Sequence, residues 1–407
     1  MNRIARLLTA ITAALALSAC ATTPPPPAER PPTILISIDG FRADYLDRGV
    51  TPVLSDLAAN GVRAAMRPSF PSKTFPNHYT LVTGLRPDRN GIVDNNIEDP
   101  AIPGVTFKMS NHAAVVDRRW WDQGEPIWVA AERAGIITAE MFWPGSEAPI
   151  RGVRPSHFLK YDEPMPIDAR VDQVLAWLDL PPGQRPGFLT LYFHHVDSAG
   201  HEFGPDSREV NAAAAQVDAG LGRLTAGLKA RGLDANLVIV ADHGMAAISP
   251  ERRVFADDLV SRDAFRSLAG GAFLTVYPVK GREAEVERGL LGRHPHLECW
   301  RKADIPARFH YGKNPRVAPI FCLPQTGWTV TTRDYKPSKP ELGAHGYDNF
   351  SPEMTAIFVA SGPAFRRGVT APTFDNVDVY PLLARLLGVR PAPNDGDLRE
   401  LGPALAR

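Results

Sequence analysis

Three short apolar runs constrain this chain more than any other feature. They are Thr33-Ile-Leu-Ile-Ser-Ile38, Gly187-Phe-Leu-Thr-Leu-Tyr-Phe193 and Asn236-Leu-Val-Ile-Val-Ala241. Continuous apolar runs of this length, without polar alternation, read as strands buried on both faces, as in parallel sheets covered by helices. Helical patterns separate them, at Thr51 to Gly61, Pro126 to Gly135, Ile167 to Asp179 and the Ala-rich Ser207 to Arg231. Further strands are expected at Ile136 to Phe142 and Thr355 to Ala360, with a closing helix from Val377 to Leu387. The alternation predicts an α/β fold, a doubly wound and mostly parallel sheet flanked by helices, over residues 33–407. From about 250 to 340 the pattern breaks up, with a strand near Ala272–Val276, a helix near Glu283–Gly292 and many Pro, Gly and aromatic residues. A small inserted α+β subdomain is expected there.

In such sheets ligands sit beyond the carboxyl ends of the strands. Each of the three runs is followed by an aspartate, Asp39, Asp197 or Asp242. Carboxylates brought to one edge repel each other and lose hydration, so they need a cation or must take up protons. Imidazoles accompany them. His243 follows Asp242, His201 lies four residues after Asp197, and His345 sits in the glycine-flanked Gly343-Ala-His345-Gly. Mixed His/Asp donors suit zinc or a similar divalent ion, and a site with an open position is of the catalytic type. One hydroxyl stands out, Thr74 in Pro71-Ser-Lys-Thr74-Phe-Pro76-Asn-His-Tyr79. Pro76 suits the first turn of a helix expected from about Asn77 to Gly84, and Thr74 then falls near its cap. A helix start offers unpaired N–H groups and a positive dipole end to an anion. As a plain cap Thr74 needs no further role; beside a cation it becomes a nucleophile.

Ile38-Asp39-Gly40-Phe41-Arg42, the Pro71–Tyr79 stretch, Thr83-Gly84-Leu85-Arg86-Pro87 and Gly91-Ile92-Val93-Asp94-Asn95 resemble the nucleotide pyrophosphatase/phosphodiesterase family. So do Phe142-Trp143-Pro144-Gly145, Asp197-Ser-Ala-Gly-His201, Asp242-His243-Gly244-Met245 and His345-Gly346, all in family order. That family belongs to the alkaline phosphatase superfamily. The resemblance implies two zinc ions, one held by Asp197, His201 and His345, the other by Asp39, Asp242, His243 and the oxygen of Thr74. It implies Thr74 as nucleophile, a covalent phosphothreonine, and Asn95 as hydrogen-bond donor to a phosphoryl oxygen. A neutral donor suits a diester, whereas guanidinium suits the dianion of a monoester. Read alone, Asn95 is a turn residue after Asp94. Phe75 and Tyr192 match rings that flank the base, and Trp143 and Tyr161 either line the same pocket or pack the core. Val116 stands where vertebrate nucleotide-cleaving members carry a pocket lysine. The implied substrate is a nucleotide or other small phosphodiester. The alternatives are a choline-headgroup (lyso)phospholipase C of the same superfamily and a non-catalytic lipoprotein that keeps the fold.

With 45 basic and 45 acidic residues the chain has no field for sequence-specific nucleic-acid binding. Arg3 and Arg6 precede the apolar Leu7 to Leu17, which reads as a signal peptide (residues 1–20). Leu17-Ser-Ala-Cys20 resembles the bacterial lipobox, implying a lipid on Cys20 and an envelope protein facing the periplasm. Residues 21–32 are proline-rich and read as an extended tether. Cys299 and Cys322 can pair in an oxidising compartment, but two cysteines do not establish it.

Overall fold

The computed structural model describes residues 30–335 and 339–406. The expected signal peptide, Cys20 and most of the tether lie outside the described residues. The central sheet has nine strands. They are β1 (Thr33–Ile38), β2 (Val62–Arg67), β3 (Thr138–Met141), β4 (His157–Phe158), β5 (Phe188–Phe193), β6 (Asn236–Val240), β7 (Ala356–Ser361), β8 (Val369–Thr370) and β9 (Phe374–Asp375). Their spatial order is β8-β2-β7-β6-β1-β5-β3-β4, with β9 also beside β2. Strand β1 runs parallel to β5 on one side and to β6 on the other, with Thr33 facing both Phe188 and Asn236. Only β7 runs antiparallel to its neighbours, β2 and β6.

All of β1, β5 and β6 is buried, as both-faced apolar runs require. Two groups of helices supply the cover. The first is α1 (Pro52–Ala59), α4 (Ile167–Leu178), α5 (His195–Phe203) and α6 (Arg208–Ala230), packed around α6. The second is α2 (Thr74–Thr83), α3 (Ile127–Arg133) and α7 (Val379–Leu387), packed around α7. Ser207 caps α6 by accepting from the Val210 N–H at 3.2 Å.

Two local expectations need correction. Helix α2 begins at Thr74, so Lys73 is its N-cap residue and no side chain caps it. The Thr74 hydroxyl is therefore not spent on its own helix, and Pro76 still falls where no helical N–H partner is needed. Asp197 does not stand at a strand end. Strand β5 stops at Phe193, α5 starts at His195, and Asp197 occupies its first turn with His201 one turn on.

The stretch expected as an insert carries a five-stranded antiparallel sheet. Its order is Phe265–Arg266, Leu274–Pro278, Ile320–Pro324, Leu297–Arg301, Gly292–His294, with a helix over Glu283–Leu290. It has an apolar cluster of its own, including Val276, Val286, Leu290, Ile320 and Val330. Cys299 and Cys322 face each other in register there and are joined in a disulfide. Among the described residues no helix is long and apolar enough to cross a membrane.

Among the described residues several buried side-chain oxygens and nitrogens have no hydrogen-bond partner, and Glu140 is the carboxyl with both oxygens in that state. Glu140 of β3 is fully buried beside Thr190 of β5, and neither carboxyl oxygen has a hydrogen bond. Burial pushes its pKa up to about 8. With the folded value above the unfolded one, its contribution is fully present below the unfolded value of 4.5 and lost as pH rises through about 8. The slope across that window is roughly 1 kcal/mol per pH unit. Thermal midpoints between pH 5 and 9 should therefore fall more steeply for the native protein than for Glu140→Gln. Parallel curves would show that Glu140 is not the titrating group.

Candidate active site

Beyond the carboxyl ends of β1 and β6, the loops place Asp39, Asp242 and His243 together. Gly40 makes this approach possible: its φ is +69° and a Cβ there would stand 2.9 Å from the Asp197 backbone. Its N–H also donates to Asp242 Oδ1 at 3.2 Å. Gly244 is pressed as tightly, since a Cβ would come within 2.1 Å of the Glu353 carbonyl oxygen. The loop after β6 and the loop carrying His345 are stitched together, Ala246 pairing with Ala344 and Ala247 with Gly343.

The expected donors converge. His201 Nε2 and His345 Nε2 each lie 3.6 Å from Asp197 Oδ1. His243 Nε2 lies 2.8 Å from Asp242 Oδ2, 3.6 Å from Asp39 Oδ1 and 3.3 Å from Thr74 Oγ1. The two sets merge into one cluster, for the His243 and His345 rings stack at 3.5 Å, and Asp197, His243 and His345 also meet.

All three imidazoles are wired alike. The Nδ1–H of His201 donates to the Gly343 carbonyl (3.0 Å), that of His243 to Gly244 (2.9 Å) and that of His345 to Ser72 (2.9 Å). A carbonyl can only accept, so each Nδ1 carries a proton and each ring turns its Nε2 into the cluster. Facing those nitrogens are Asp39 Oδ1, Asp197 Oδ1 and Asp242 Oδ2, buried oxygens with no hydrogen-bond partner. Lone pair and carboxylate oxygen at such distances repel unless a proton or a cation stands between them. Burial, then the neighbouring carboxylates, hold Asp39 and Asp242 well above the usual carboxylate range. Burial holds His243 and His345 below the usual imidazole value. Proton-poor imidazoles, orphaned carboxylate oxygens and one hydroxyl form a donor set that fits borderline divalent cations.

His78 also borders the cluster but is not such a donor. Its Nδ1–H donates to the Thr74 carbonyl at 2.9 Å, and its Nε2 accepts from the Ser37 hydroxyl at 2.8 Å. Both nitrogens are used, so His78 braces the start of α2 against β1. Its role was not read from the sequence, where only its place in the motif signals it.

Asn95 accepts the Phe75 N–H on Oδ1 at 2.9 Å. That bond fixes the amide orientation and leaves its NH2 group beside the first turn of α2 without a protein partner among the described residues. Phe75, Trp143, Tyr161 and Tyr192 line a cavity of about 520 Å³ that opens at Thr74. Val115, and not Val116, is among its lining residues. Trp143 donates its indole N–H to the His78 carbonyl at 3.1 Å, and Tyr192 donates its hydroxyl to Asp39 Oδ2 at 2.6 Å. Tyr192 thus joins the cavity wall to the donor cluster, a link that sequence position cannot reveal. Buried Arg170 braces the same wall, donating to the Tyr192 and Glu163 carbonyls at 2.8 Å each.

Residues 33–348 match the family model described as type I phosphodiesterase / nucleotide pyrophosphatase. An uncharacterized pyrophosphatase/phosphodiesterase of Schizosaccharomyces pombe is 41% identical over 89% of this chain and 78% of its own length. A venom phosphodiesterase of Crotalus durissus collilineatus is 39% identical over 90% of this chain and 46% of its own. The human ectonucleotide pyrophosphatase/phosphodiesterase family member 1 is 38% identical over 90% and 41%. The chain thus spans less than half the length of the venom and human proteins. A solved structure of murine ectonucleotide pyrophosphatase/phosphodiesterase 5, an inactive variant in complex with AMP, superposes with a TM-score of 0.88. It is 34% identical, over 93% of this chain and all of that one. On this sequence match and this shared fold, the chain belongs to the type I phosphodiesterase / nucleotide pyrophosphatase family, within the alkaline phosphatase superfamily.

Proposed function

We propose that this protein is a zinc-dependent phosphodiesterase that hydrolyses nucleoside 5′-phosphodiester and nucleotide pyrophosphate bonds, releasing 5′-nucleoside monophosphates through a phosphothreonine at Thr74. The observation that carries the proposal is the position of the Thr74 hydroxyl. It lies 3.3 Å from His243 Nε2, inside the cluster of orphaned carboxylate oxygens and at the mouth of an aromatic cavity. The AMP complex of the murine neighbour supports a nucleotide as the ligand.

Asp197, His201 and His345 would hold one ion, and Asp39, Asp242, His243 and Thr74 the other. Divalent cations in such a site lower the pKa of a hydroxyl and offset charge on the departing oxygen. The chain's own groups do the rest. Thr74 sits at the first position of α2, where the positive end of the helix dipole favours the phosphoryl anion. The Asn95 NH2 donates to a non-bridging oxygen, suited to the single negative charge of a diester. Phe75 and Tyr192 offer π-faces to the base, which tolerate different bases. Tyr192, through its bond to Asp39, keeps that carboxylate turned inward.

Thr74→Ala should lower kcat/KM on a nitrophenyl nucleotide diester by on the order of 10³-fold or more, and acid quenching of the native enzyme should trap a nucleotidyl group on Thr74. Unchanged turnover in Thr74→Ala would end the covalent mechanism. Asn95→Ala should cost about 10²–10³-fold in kcat/KM, the loss typical of one preorganised donor to developing charge. A loss within a few fold would assign Asn95 to the turn alone. Chelation should abolish activity, and zinc should restore it with about two equivalents bound per chain by metal analysis. Full activity in protein shown to be metal-free would refute the cation requirement.

A further inference from the structure

Lys73 stands immediately before Thr74, yet its ammonium takes no part in the cluster just described. Its stem packs on Gly346, where a Cβ would meet Lys73 Cε at 2.9 Å. Its Nζ lies 5.4 Å from the centroid of Phe273, in the stretch that carries the second sheet. No hydrogen bond or ion pair holds that Nζ among the described residues. Asp94, Glu341 and Asp197 act on it only through their fields. A half-buried lysine beside Thr74 whose ammonium has no hydrogen-bond acceptor or ion-pair partner of its own among the described residues is free to meet an anionic ligand there.

Its placement indicates which part of a substrate that is. The aromatic cavity is lined by Thr74, Phe75, Trp143, Tyr161 and Tyr192, and Lys73 is not among its lining residues. Lys73 lies instead with Gly346 and Phe273, next to the His345 loop. A substrate with its nucleoside in the cavity and its phosphorus at Thr74 directs its leaving group out of the cavity. We propose that Lys73 forms an anion subsite for the leaving group, favouring nucleotides whose departing part is itself a phosphate or pyrophosphate. The inference rests on the nucleotide pyrophosphatase reading above and names its substrate class. In the step it serves, the Thr74 hydroxyl gives its proton up to water, and the bond from its Oγ to the α-phosphorus forms while the bond from that phosphorus to the bridging oxygen breaks. The electron pair departs on the pyrophosphate, and the Lys73 ammonium donates hydrogen bonds to that charge without giving up its proton.

The test compares ATP, which leaves as pyrophosphate, with the nitrophenyl ester of thymidine 5′-monophosphate, whose leaving group carries one charge. Lys73→Gln should lower kcat/KM for ATP by about tenfold more than for the ester, and Lys73→Arg should recover most of that ratio. Equal losses on both substrates would mean that Lys73 only holds Thr74 in place, and would overturn the proposal. A binding experiment separates this outcome from failure of the enzymatic reading. With Thr74→Ala as background, Lys73→Gln should weaken α,β-methylene-ATP about fivefold or more by calorimetry while AMP changes less than about twofold. Equal weakening of both ligands would refute the subsite. If the native chain cleaves neither substrate, the function proposed above fails, and the calorimetric comparison still decides the role of Lys73.

Discussion

Three carboxylates drawn into one buried pocket set the terms for the rest of this molecule. Asp39 and Asp242 are almost wholly buried, and each, like Asp197, has one buried carboxylate oxygen with no hydrogen-bond partner among the described residues. Removing an ion from water costs several kcal/mol even after relaxation. The fold tolerates the arrangement by preparing for positive charge. Three imidazoles are oriented from behind by backbone carbonyls so that each Nε2 faces the carboxylates. Gly40 and Gly244 remove the side chains that would hold the loops apart. The sheet makes the convergence possible, because parallel β1, β5 and β6 all release the chain at the same edge.

Much of this was legible in the sequence because it is written in local patterns. Apolar runs announced β1, β5 and β6, and Ser207 with its Ala-rich sequel announced α6. The donors could be named because each follows a strand-like run or sits in a glycine-flanked loop. Contacts between distant segments were not legible. Nothing near Tyr192 indicates that its hydroxyl meets Asp39, 153 residues away. The bracing by Arg170 and the use of both His78 nitrogens are equally non-local. Strand β2 carries no such signal, because Arg63 and Arg67 break its apolar pattern and its alternate residues are only half buried. The direction of β7 has no sequence signal at all, since a buried strand reads the same parallel or antiparallel.

The correction at Thr74 has a chemical side. A hydroxyl that caps its own helix is committed to a backbone N–H, and its lone pairs are partly used. At the first helical position the Thr74 side chain is released from that duty, because the Phe75 N–H is taken by Asn95 Oδ1 and the Asn77 N–H by the Lys73 carbonyl. The same ten residues thus supply a free hydroxyl, an anion-favouring helix start and, through the Thr74 carbonyl, an anchor for His78.

The cavity adds an argument about orientation that geometry alone does not provide. Its lining includes Glu147, Asp162 and Glu163 but no lysine or arginine, and its one histidine, His112, is already bonded to Glu147 at 3.0 Å. A polyphosphate chain entering there would meet these carboxylates, and the one cation of the wall, Arg170, already spends its donors on the carbonyls of Met165, Tyr192 and Glu163. A nucleoside brings no charge, and its base finds aromatic faces while its polar edge finds acceptors. The same substrate turned round would place its base among the buried ionic donors and its phosphates among the acids. Both ends therefore discriminate in the same sense: the acidic cavity repels what the cation-ready cluster and the neighbouring ammonium attract. On the function proposed above, which bond of a nucleotide reaches Thr74 is set by this polarity across a single side chain as much as by any contact with the base.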